Sequence, residues 1–511
     1  MKRIIGIFFA IFTLMPTMAQ SEAEIEDWYN KGIKFRKEGN HTEAVKWFTK
    51  AAEKGYAEAQ NYLGFCYHAG QGVEKSYTEA AKWWRKAAEK GLAKAQFYLG
   101  GCYYHGHGVE QNEIEAIKWY RKAAEQGLAD AQFYLGLEYY YGGKVIPKSY
   151  VRAVLWFTRA AEQGHSDAQC LLGECYENGY YVEKDYTEAV KWYRKSIESC
   201  SWNDIAICNL ARCYMVGNGV ERSETEALKL FREVDHYAEA QYYIGEFYYL
   251  GLGGLECSYA NAAQWYREAA EQGYVYAQSK LAFLYEYGYG VSQSYMEAFK
   301  WYREAAEQGS VDAQFCVGRC YYYGKGVKQS YAEAARWFTE AAKEGDRSSQ
   351  YKLAGLYEYG QGVEQSDAEA AKWYKAAAEQ GIPEAQYNIG FCYKFGRGVA
   401  QDYTEAVRWF KKAARSQDSP SIYHMAECYE KGKGVTKNLT EAAKWYNAAA
   451  KLLTRDANKG YDKAQYLLGE CYQRGKGLQQ DNTEAIKWYK MAAKQGEPNA
   501  QKKLTQLGET W

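Results

Sequence analysis

The sequence has few residues that break a helix, and it has no net charge. Among 511 residues there are only 5 prolines, and 64 basic residues are balanced by 64 acidic ones. Scarce proline permits long helical stretches, because a proline inside a helix removes a hydrogen bond and clashes with the preceding turn. Zero net charge supplies no uniform positive field, so we do not expect nucleic acid as a partner.

Apolar runs of membrane-spanning length are also missing from the chain. Lys2 and Arg3 precede an apolar stretch from Ile4 to Leu14, and residues 17–19 supply small side chains for cleavage before Gln20. This pattern predicts a signal peptide over residues 1–19 and an exported protein, periplasmic or secreted. The alternative is an uncleaved anchor, but this apolar stretch spans only about 16 Å against a hydrocarbon core of about 30 Å.

A glycine-containing turn recurs about every 36 residues. Each turn follows one helix-length apolar pattern and precedes another, so each period predicts a hairpin of two helices, A and B. The spacing is strictly 36 from Leu255 to Val435. The apolar residue after the turn is Val73, Val109, Val145, Val182, Val220, Leu255, Val291, Val327, Val363, Val399, Val435 and Leu478.

Both helices of the period carry recognisable signals. In helix A of one unit, Ala95, Leu99 and Cys102 form one apolar stripe, and Gly100 leaves room for a close neighbour. Helix B often begins with a capping box such as Ser76 with Glu79. Helix B also carries a tryptophan at one position in twelve units, and we expect its truncation to cost about 3–5 kcal/mol. These tryptophans are residues 47, 83, 119, 156, 192, 265, 301, 337, 373, 409, 445 and 488.

The unit AQFYLGGCYYHGHGVEQNEIEAIKWYRKAAEQG (95–127) resembles the Sel1-like repeat, a relative of the tetratricopeptide repeat, and similar units cover 57–495. The resemblance implies an all-α fold, a right-handed α-solenoid or superhelix of stacked antiparallel helix hairpins, and a scaffold or adaptor role. Residues 22–55 resemble a tetratricopeptide hairpin and are expected to cap the N-terminal end. Residues 497–511 are expected to form a C-terminal capping helix.

Thirteen cysteines in an exported chain require an explanation. Eight occupy one position of helix A, where other units carry mostly apolar residues, so we predict small buried residues there. The cysteine-rich branch of the resembled family bridges a turn with the separation of Cys200 and Cys208, which suggests a disulfide. The longer loop here leaves that pairing open. The eight equivalent cysteines are Cys66, Cys102, Cys175, Cys213, Cys320, Cys392, Cys428 and Cys471.

Motifs for chemistry are weak, and we predict no enzyme, no metal site and no cofactor. His105 and His107 share a turn without cysteine or carboxylate at ligand spacing. Ser349 and Lys352 match the S-x-x-K motif of penicillin-recognising hydrolases, but neither S-D-N nor K-T-G occurs in the sequence. A hydrolase is therefore the last of our hypotheses.

The tetratricopeptide resemblance implies that helix A lines a concave face, with four positions of each unit directed into the groove. At these positions the chain is mostly aromatic, until the last units replace them with Glu427, Glu430, Lys431, Glu470 and Arg474. Aromatic residues and arginine are frequent binding hot spots, so our leading hypothesis is a protein or peptide partner along an aromatic groove. One alternative is an envelope glycan stacked on the tyrosine rings, and another is that the tyrosines only pack neighbouring A helices. The predicted partner-binding residues are Phe97, Tyr104, Phe133, Tyr140, Tyr141, Tyr242, Tyr249, Phe315, Arg319, Tyr322, Tyr323, Tyr387, Phe391 and Phe395.

Overall fold

The computed structural model describes residues 22–511, so the predicted signal peptide lies outside the described residues. The described chain is α-helical, without a β-strand, and none of its helices is both long and apolar enough to cross a membrane. The helices are α1 22–37, α2 His41–Glu53, α3 Ala57–Ala69, α4 Tyr77–Glu89, α5 Ala93–His105, α6 Glu113–Glu125, α7 Ala129–Tyr141, α8 Tyr150–Glu162, α9 Ser166–Asn178, α10 Tyr186–Ser199, α11 Asp204–Val216, α12 Glu224–Glu233, α13 Ala238–Leu250, α14 Tyr259–Glu271, α15 Val275–Tyr287, α16 Tyr295–Glu307, α17 Val311–Tyr323, α18 Tyr331–Lys343, α19 Arg347–Tyr359, α20 Asp367–Glu379, α21 Pro383–Phe395, α22 Tyr403–Arg415, α23 Ser419–Lys431, α24 Leu439–Asn458, α25 Asp462–Arg474, α26 Asn482–Lys494 and α27 Pro498–Gln506.

The helices form a series of hairpins, as the period predicts. From α3 to α12 and from α15 to α26, each odd-numbered helix is an A helix and packs on the B helix that follows it. Each B helix in turn packs on the next A helix along most of the chain. This arrangement confirms the all-α solenoid. The described chain divides into two compact units, which we call the N-terminal unit (22–247 with Gly251–Glu256) and the C-terminal unit (Tyr248–Leu250 with Cys257–Trp511).

The most deeply buried aromatic side chain of helix B is not the recurring tryptophan but the residue after it. Trp84 is only 3% exposed, and its indole N–H donates to the carbonyl oxygen of Asn61 at 3.2 Å, whereas Trp83 is only partly buried and lies under Lys86. The second aromatic packs on a glycine of helix A: a Cβ on Gly100 would stand 2.7 Å from the ring of Tyr120. We therefore expect the large loss of stability on truncation to alanine at the residue after the recurring tryptophan, and not at that tryptophan itself. Only Trp409 and Trp488 of the tryptophan series are themselves buried.

The turn between helices A and B uses both of its glycines. Gly106 ends α5 at φ +72°, and Gly108 follows at φ +71°. A Cβ on Gly108 would collide with the backbone of Tyr77 in the preceding hairpin, so this turn needs glycine for its conformation and for a close approach. The residue between the glycines, His107, stacks on the ring of Tyr77 at 4.7 Å. The turn therefore packs against the preceding hairpin.

A repeated glutamine links three helices at a time. Gln96 of α5 donates to the carbonyl oxygen of Ala88 in α4 at 3.2 Å and accepts from Gln126, which caps α6, at 2.7 Å. Its side chain is 5% exposed, so these bonds satisfy polar atoms that burial would otherwise leave unpaired. The same pattern recurs at Gln132 with Ala124 and Gln163, Gln278 with Ala270 and Gln308, Gln350 with Ala342 and Gln380, and Gln465 with Ala457 and Gln495.

Three B helices depart from the usual length of 13 residues, and one of them, α10, is longer by only one residue. Helix α12 has only 10 residues, in the one unit where Leu230 replaces the tryptophan. Helix α24 has 20 residues, because the sequence insertion around Lys451 to Lys459 extends the helix rather than a loop. Its late residue Ala457 still accepts the hydrogen bond from Gln465.

The cysteines lie where the repeat places them. All eight cysteines of the shared helix A position are buried, which confirms that prediction. Burial raises the pKa of the Cys102 thiol to about 11. Cys200 and Cys208 are free thiols in this structure. Cys208 is fully buried within α11, while Cys200 is part exposed at the end of α10, so the suggested bridge is not formed here.

Candidate partner-binding face

The predicted binding positions are the fifth, ninth, twelfth and thirteenth residues of each A helix, and the structure gives them different surroundings. Fifth residues pack on the buried second aromatic of the following B helix. Phe97 lies 5.6 Å from Tyr120, and Tyr387 lies 6.1 Å from Phe410. Thirteenth residues end the helix and are exposed, as Tyr323 is at 52%. The fifth position thus serves packing first, and the thirteenth is open to a partner.

In the N-terminal unit the predicted residues range from buried to exposed. Phe133 and Tyr140 are buried, and the Tyr140 hydroxyl donates to Glu174 at 3.3 Å. Phe97 and Tyr242 are partly buried and touch neighbouring tyrosine rings. Only Tyr104 and Tyr141 are well exposed.

In the C-terminal unit the thirteenth residues of six successive A helices form what we call the end row: Tyr287, Tyr323, Tyr359, Phe395, Lys431 and Arg474. Each of its four aromatic rings is between 47% and 61% exposed. Tyr323 pairs with Tyr322 at 4.9 Å, and Lys352 lies over both rings. In chain order, the end row therefore has four aromatic residues followed by two cations.

Other predicted residues of this unit contact neighbouring side chains outside the end row. Tyr249 packs on Tyr259 at 5.2 Å. Phe315 packs on Phe338 at 5.9 Å. Arg319 forms an ion pair with Glu286 at 2.6 Å. The Arg319 guanidinium is therefore engaged within the protein and is not free to bind a ligand.

A cavity of about 480 Å³ opens on the A-helix face of the C-terminal unit. Residues of α19, α21, α23, α25 and α27 line it, with contributions from the starts of α20 and α22. Three predicted residues meet there: Tyr387 is 8% exposed, Phe391 is partly buried and Phe395 is 51% exposed. We call this space the C-terminal cavity. Its volume lies within the range of roughly 300–1,000 Å³ that is usual for ligand pockets.

An ionic cluster of Lys394, His424, Glu427 and Lys431 lines part of the C-terminal cavity. Glu427 accepts from Lys394 at 2.6 Å and forms an ion pair with Lys431 at 3.2 Å. The ring of His424 stacks on Tyr387, and its Nδ1 lies 2.9 Å from both Glu427 and Lys394. Burial, and then the charge of Lys394, lowers the pKa of His424 to about 4. The neutral His424 leaves this cluster with two cations and one carboxylate.

Burial by itself would raise the pKa of Glu427, but the hydrogen bond from His424 and the charge of Lys394 hold it below its usual range. A second carboxylate of the cavity, Glu470, also has cationic partners. It contacts Arg474 at 2.8 Å and Lys503 at 3.0 Å and accepts from the Tyr489 hydroxyl at 2.8 Å. Each of these two buried carboxylates is thus paired with two cations.

Sequence reasoning missed several of these groups. Tyr359 occupies the same helix position as Tyr323 and could have been found from the repeat alone. Lys394, His424 and Lys463 were missed because their roles depend on contacts about 30 or more residues away in sequence, which a single repeat does not reveal.

The weaker chemical motifs gain no support from their surroundings. Ser349 is fully buried, while Lys352 lies over the exposed tyrosine pair, so the S-x-x-K match does not present an accessible serine beside its lysine. No group of three or more histidine, cysteine or acidic residues among the described residues is arranged to hold a metal ion.

Stacked helix hairpins of this kind define an α-solenoid repeat protein. The Sel1 repeat family model matches thirteen segments, so the chain belongs to the Sel1 repeat family. The first match includes most of the segment that we set apart as an N-terminal cap. The matched segments are 27–56, 57–92, 93–128, 129–165, 166–199, 204–233, 238–274, 275–310, 311–346, 347–382, 383–418, 419–452 and 462–497.

Two solved structures are similar to this chain. One is a protective antigen of uropathogenic Escherichia coli strains with an SLR fold, 32% identical over 91% of each chain, with a TM-score of 0.49. Another is a Sel1 repeat protein from Oxalobacter formigenes, 31% identical over 48% of this chain and 96% of that one, with a TM-score of 0.41. None of the curated proteins compared with the chain matches it.

Proposed function

We propose that this protein is an exported scaffold that holds a protein or peptide partner against the A-helix face. Sel1 repeats generally form scaffolds that mediate protein–protein interaction. The observation that carries the proposal here is the end row of exposed aromatic residues leading into the C-terminal cavity. Aromatic side chains bury a large area at low entropic cost, which suits them to binding.

The test is cross-linking capture from an envelope extract with the purified chain and a triple variant, Tyr323→Ala/Tyr359→Ala/Phe395→Ala. The three residues are exposed at their tips, so their loss should leave the fold intact while removing binding area. We expect capture to weaken by at least ~30-fold, the equivalent of about 2 kcal/mol for a single hot spot. Trp202→Ala is the matched control, since Trp202 is 81% exposed but lies outside the A-helix face.

Equal capture by the triple variant and the wild type would contradict the proposed face. Retention by purified envelope glycans, with no cross-linked protein, would favour glycan stacking on the same rings instead. Export is tested separately by the N-terminal residue of the protein recovered from the producing cells. We expect Gln20 there, and an intact Met1 would contradict cleavage.

A further inference from the structure

Besides Lys394, which lies over Phe395 and pairs with Glu427, three cations of the C-terminal cavity rest on aromatic rings. The guanidinium of Arg397 lies 5.3 Å from the ring centre of Phe391, and Lys463 lies 5.3 Å from that of Tyr387. Lys433 lies 4.4 Å from the ring centre of Tyr403 and donates to its hydroxyl. Within residues 22–511 none of these three side chains forms an ion pair, although Lys463 acts on Asp418 at longer range. Their charges are held in place without being neutralised.

The carboxylates that line the same cavity are already engaged. Glu427 and Glu470 are each paired with two cations, as described above. Glu358 accepts from the Tyr374 hydroxyl at 2.6 Å. Glu497 accepts from the backbone N–H of Asn499 at the start of α27. Asp367 lies in the first turn of α20, where the helix dipole favours a negative charge. Each carboxylate of the cavity thus has a cation, a hydrogen-bond donor or a helix N-terminus as a partner, whereas Arg397 and Lys463 have only an aromatic ring. An added anion would supply the partner that these cations lack.

An apolar surface lies beside these cations. Phe391 and Phe395 are 4.4 Å apart, and Phe395 is 51% exposed at the rim in the end row. Because Arg397 lies over Phe391, a ligand that contacts Arg397 is also close to this ring pair. The cavity thus offers an aromatic surface and cationic groups together.

We infer that the C-terminal cavity binds a short acidic peptide segment that carries an aromatic side chain. Carboxylates of the segment pair with Arg397, Lys433 and Lys463, and its aromatic ring packs on Phe391 and Phe395. This inference rests on the proposed function and specifies the chemistry of the partner. A close carboxylate is a stronger partner for each cation than a ring face, and Arg397 and Lys433 are exposed, so a ligand can reach them.

The test selects a random heptapeptide library on the immobilised full chain. We expect the enriched peptides to have net negative charge and to contain an aromatic residue. The best peptide is then labelled with fluorescein and titrated by anisotropy against wild type and the double variant Arg397→Gln/Lys463→Gln. We expect at least tenfold weaker binding by the variant, and a similar loss when the peptide's acidic residues are replaced by their amides.

The control is Lys86→Gln/Arg159→Gln, which also removes two cations from aromatic rings, those of Trp83 and Trp156, neither of which lines the cavity. This variant should bind within twofold of wild type. No enrichment, enrichment of neutral or basic peptides, or equal binding by Arg397→Gln/Lys463→Gln would overturn the inference. Such a result would leave the proposed function standing if cross-linking capture still required the end row.

Discussion

Two adjacent glycines in α5 provide a direct test of how the hairpins pack. A Cβ added at Gly100 would lie 2.7 Å from the Tyr120 ring and 3.2 Å from the carbonyl oxygen of Ala116. Tyr120 is 3% exposed, so its ring has little room to retreat. At Gly101 the same Cβ would meet only the Tyr120 hydroxyl, at an ordinary 3.7 Å.

The two substitutions to alanine therefore differ in sign. Both gain about 0.8–1 kcal/mol from helix propensity, because both lie inside the same helix. Gly100→Ala also overpacks the interface, at a cost of about 1–3 kcal/mol. We expect Gly101→Ala to stabilise α5 by up to about 1 kcal/mol, and Gly100→Ala to destabilise it by up to about 2 kcal/mol.

Hydrogen exchange of the α5 and α6 amides measures this difference, because a repeat array opens locally as well as globally. Urea unfolding of the whole chain provides a second reading. Equal protection in the two variants, or greater protection in Gly100→Ala, would refute the claim that the second aromatic of helix B packs directly on the glycine.

Three further predictions follow from the buried groups. Trp84→Ala should lower the free energy of unfolding by about 3–5 kcal/mol, and Trp83→Ala by clearly less; urea unfolding of the two variants side by side checks this order. The folded pKa of His424, about 4, lies below its unfolded value of about 6.5, so its contribution is complete above pH 6.5 and is lost as the pH falls towards 4. Urea midpoints at pH 7 and 4.5 should show a loss of up to about 3 kcal/mol that is smaller in His424→Gln. Iodoacetamide should label the exposed Cys257 first in the folded chain and the buried thiols, whose pKa is raised, only after unfolding in urea, as mass spectrometry would show.

The fold could be predicted from the repeat because each period carries the same local signals. The apolar stripe, the capping residue and the glycine turn each fix one step of the hairpin, and Ser76 does cap α4 by accepting from the Glu79 N–H. The destabilisation expected from truncating Trp83 was too large, because Trp83 is only partly buried. Adjacent helix positions are about 100° apart, and the pattern alone does not say which of two neighbouring side chains faces the glycine.

The candidate site was harder to predict for a related reason. The repeat assigns four helix positions to one face but does not rank their exposure, and Tyr387 is buried where Phe395 is open. The cluster of Lys394, His424 and Glu427 joins two hairpins. Its chemistry comes from residues that depart from the repeat, so no consensus pattern could indicate it.

The long helix α24 shows which insertions such a chain tolerates. Its seven extra residues amount to two helical turns less about 20°, so the side chains after the insertion return to nearly the same direction. Ala457 stands seven residues after Ala450 and takes over the acceptor role for Gln465. An insertion of two or five residues would instead turn the remaining helix away from its neighbour and disconnect the glutamine link. Growth of this molecule by lengthening a helix is thus limited to insertions close to a whole number of helical turns.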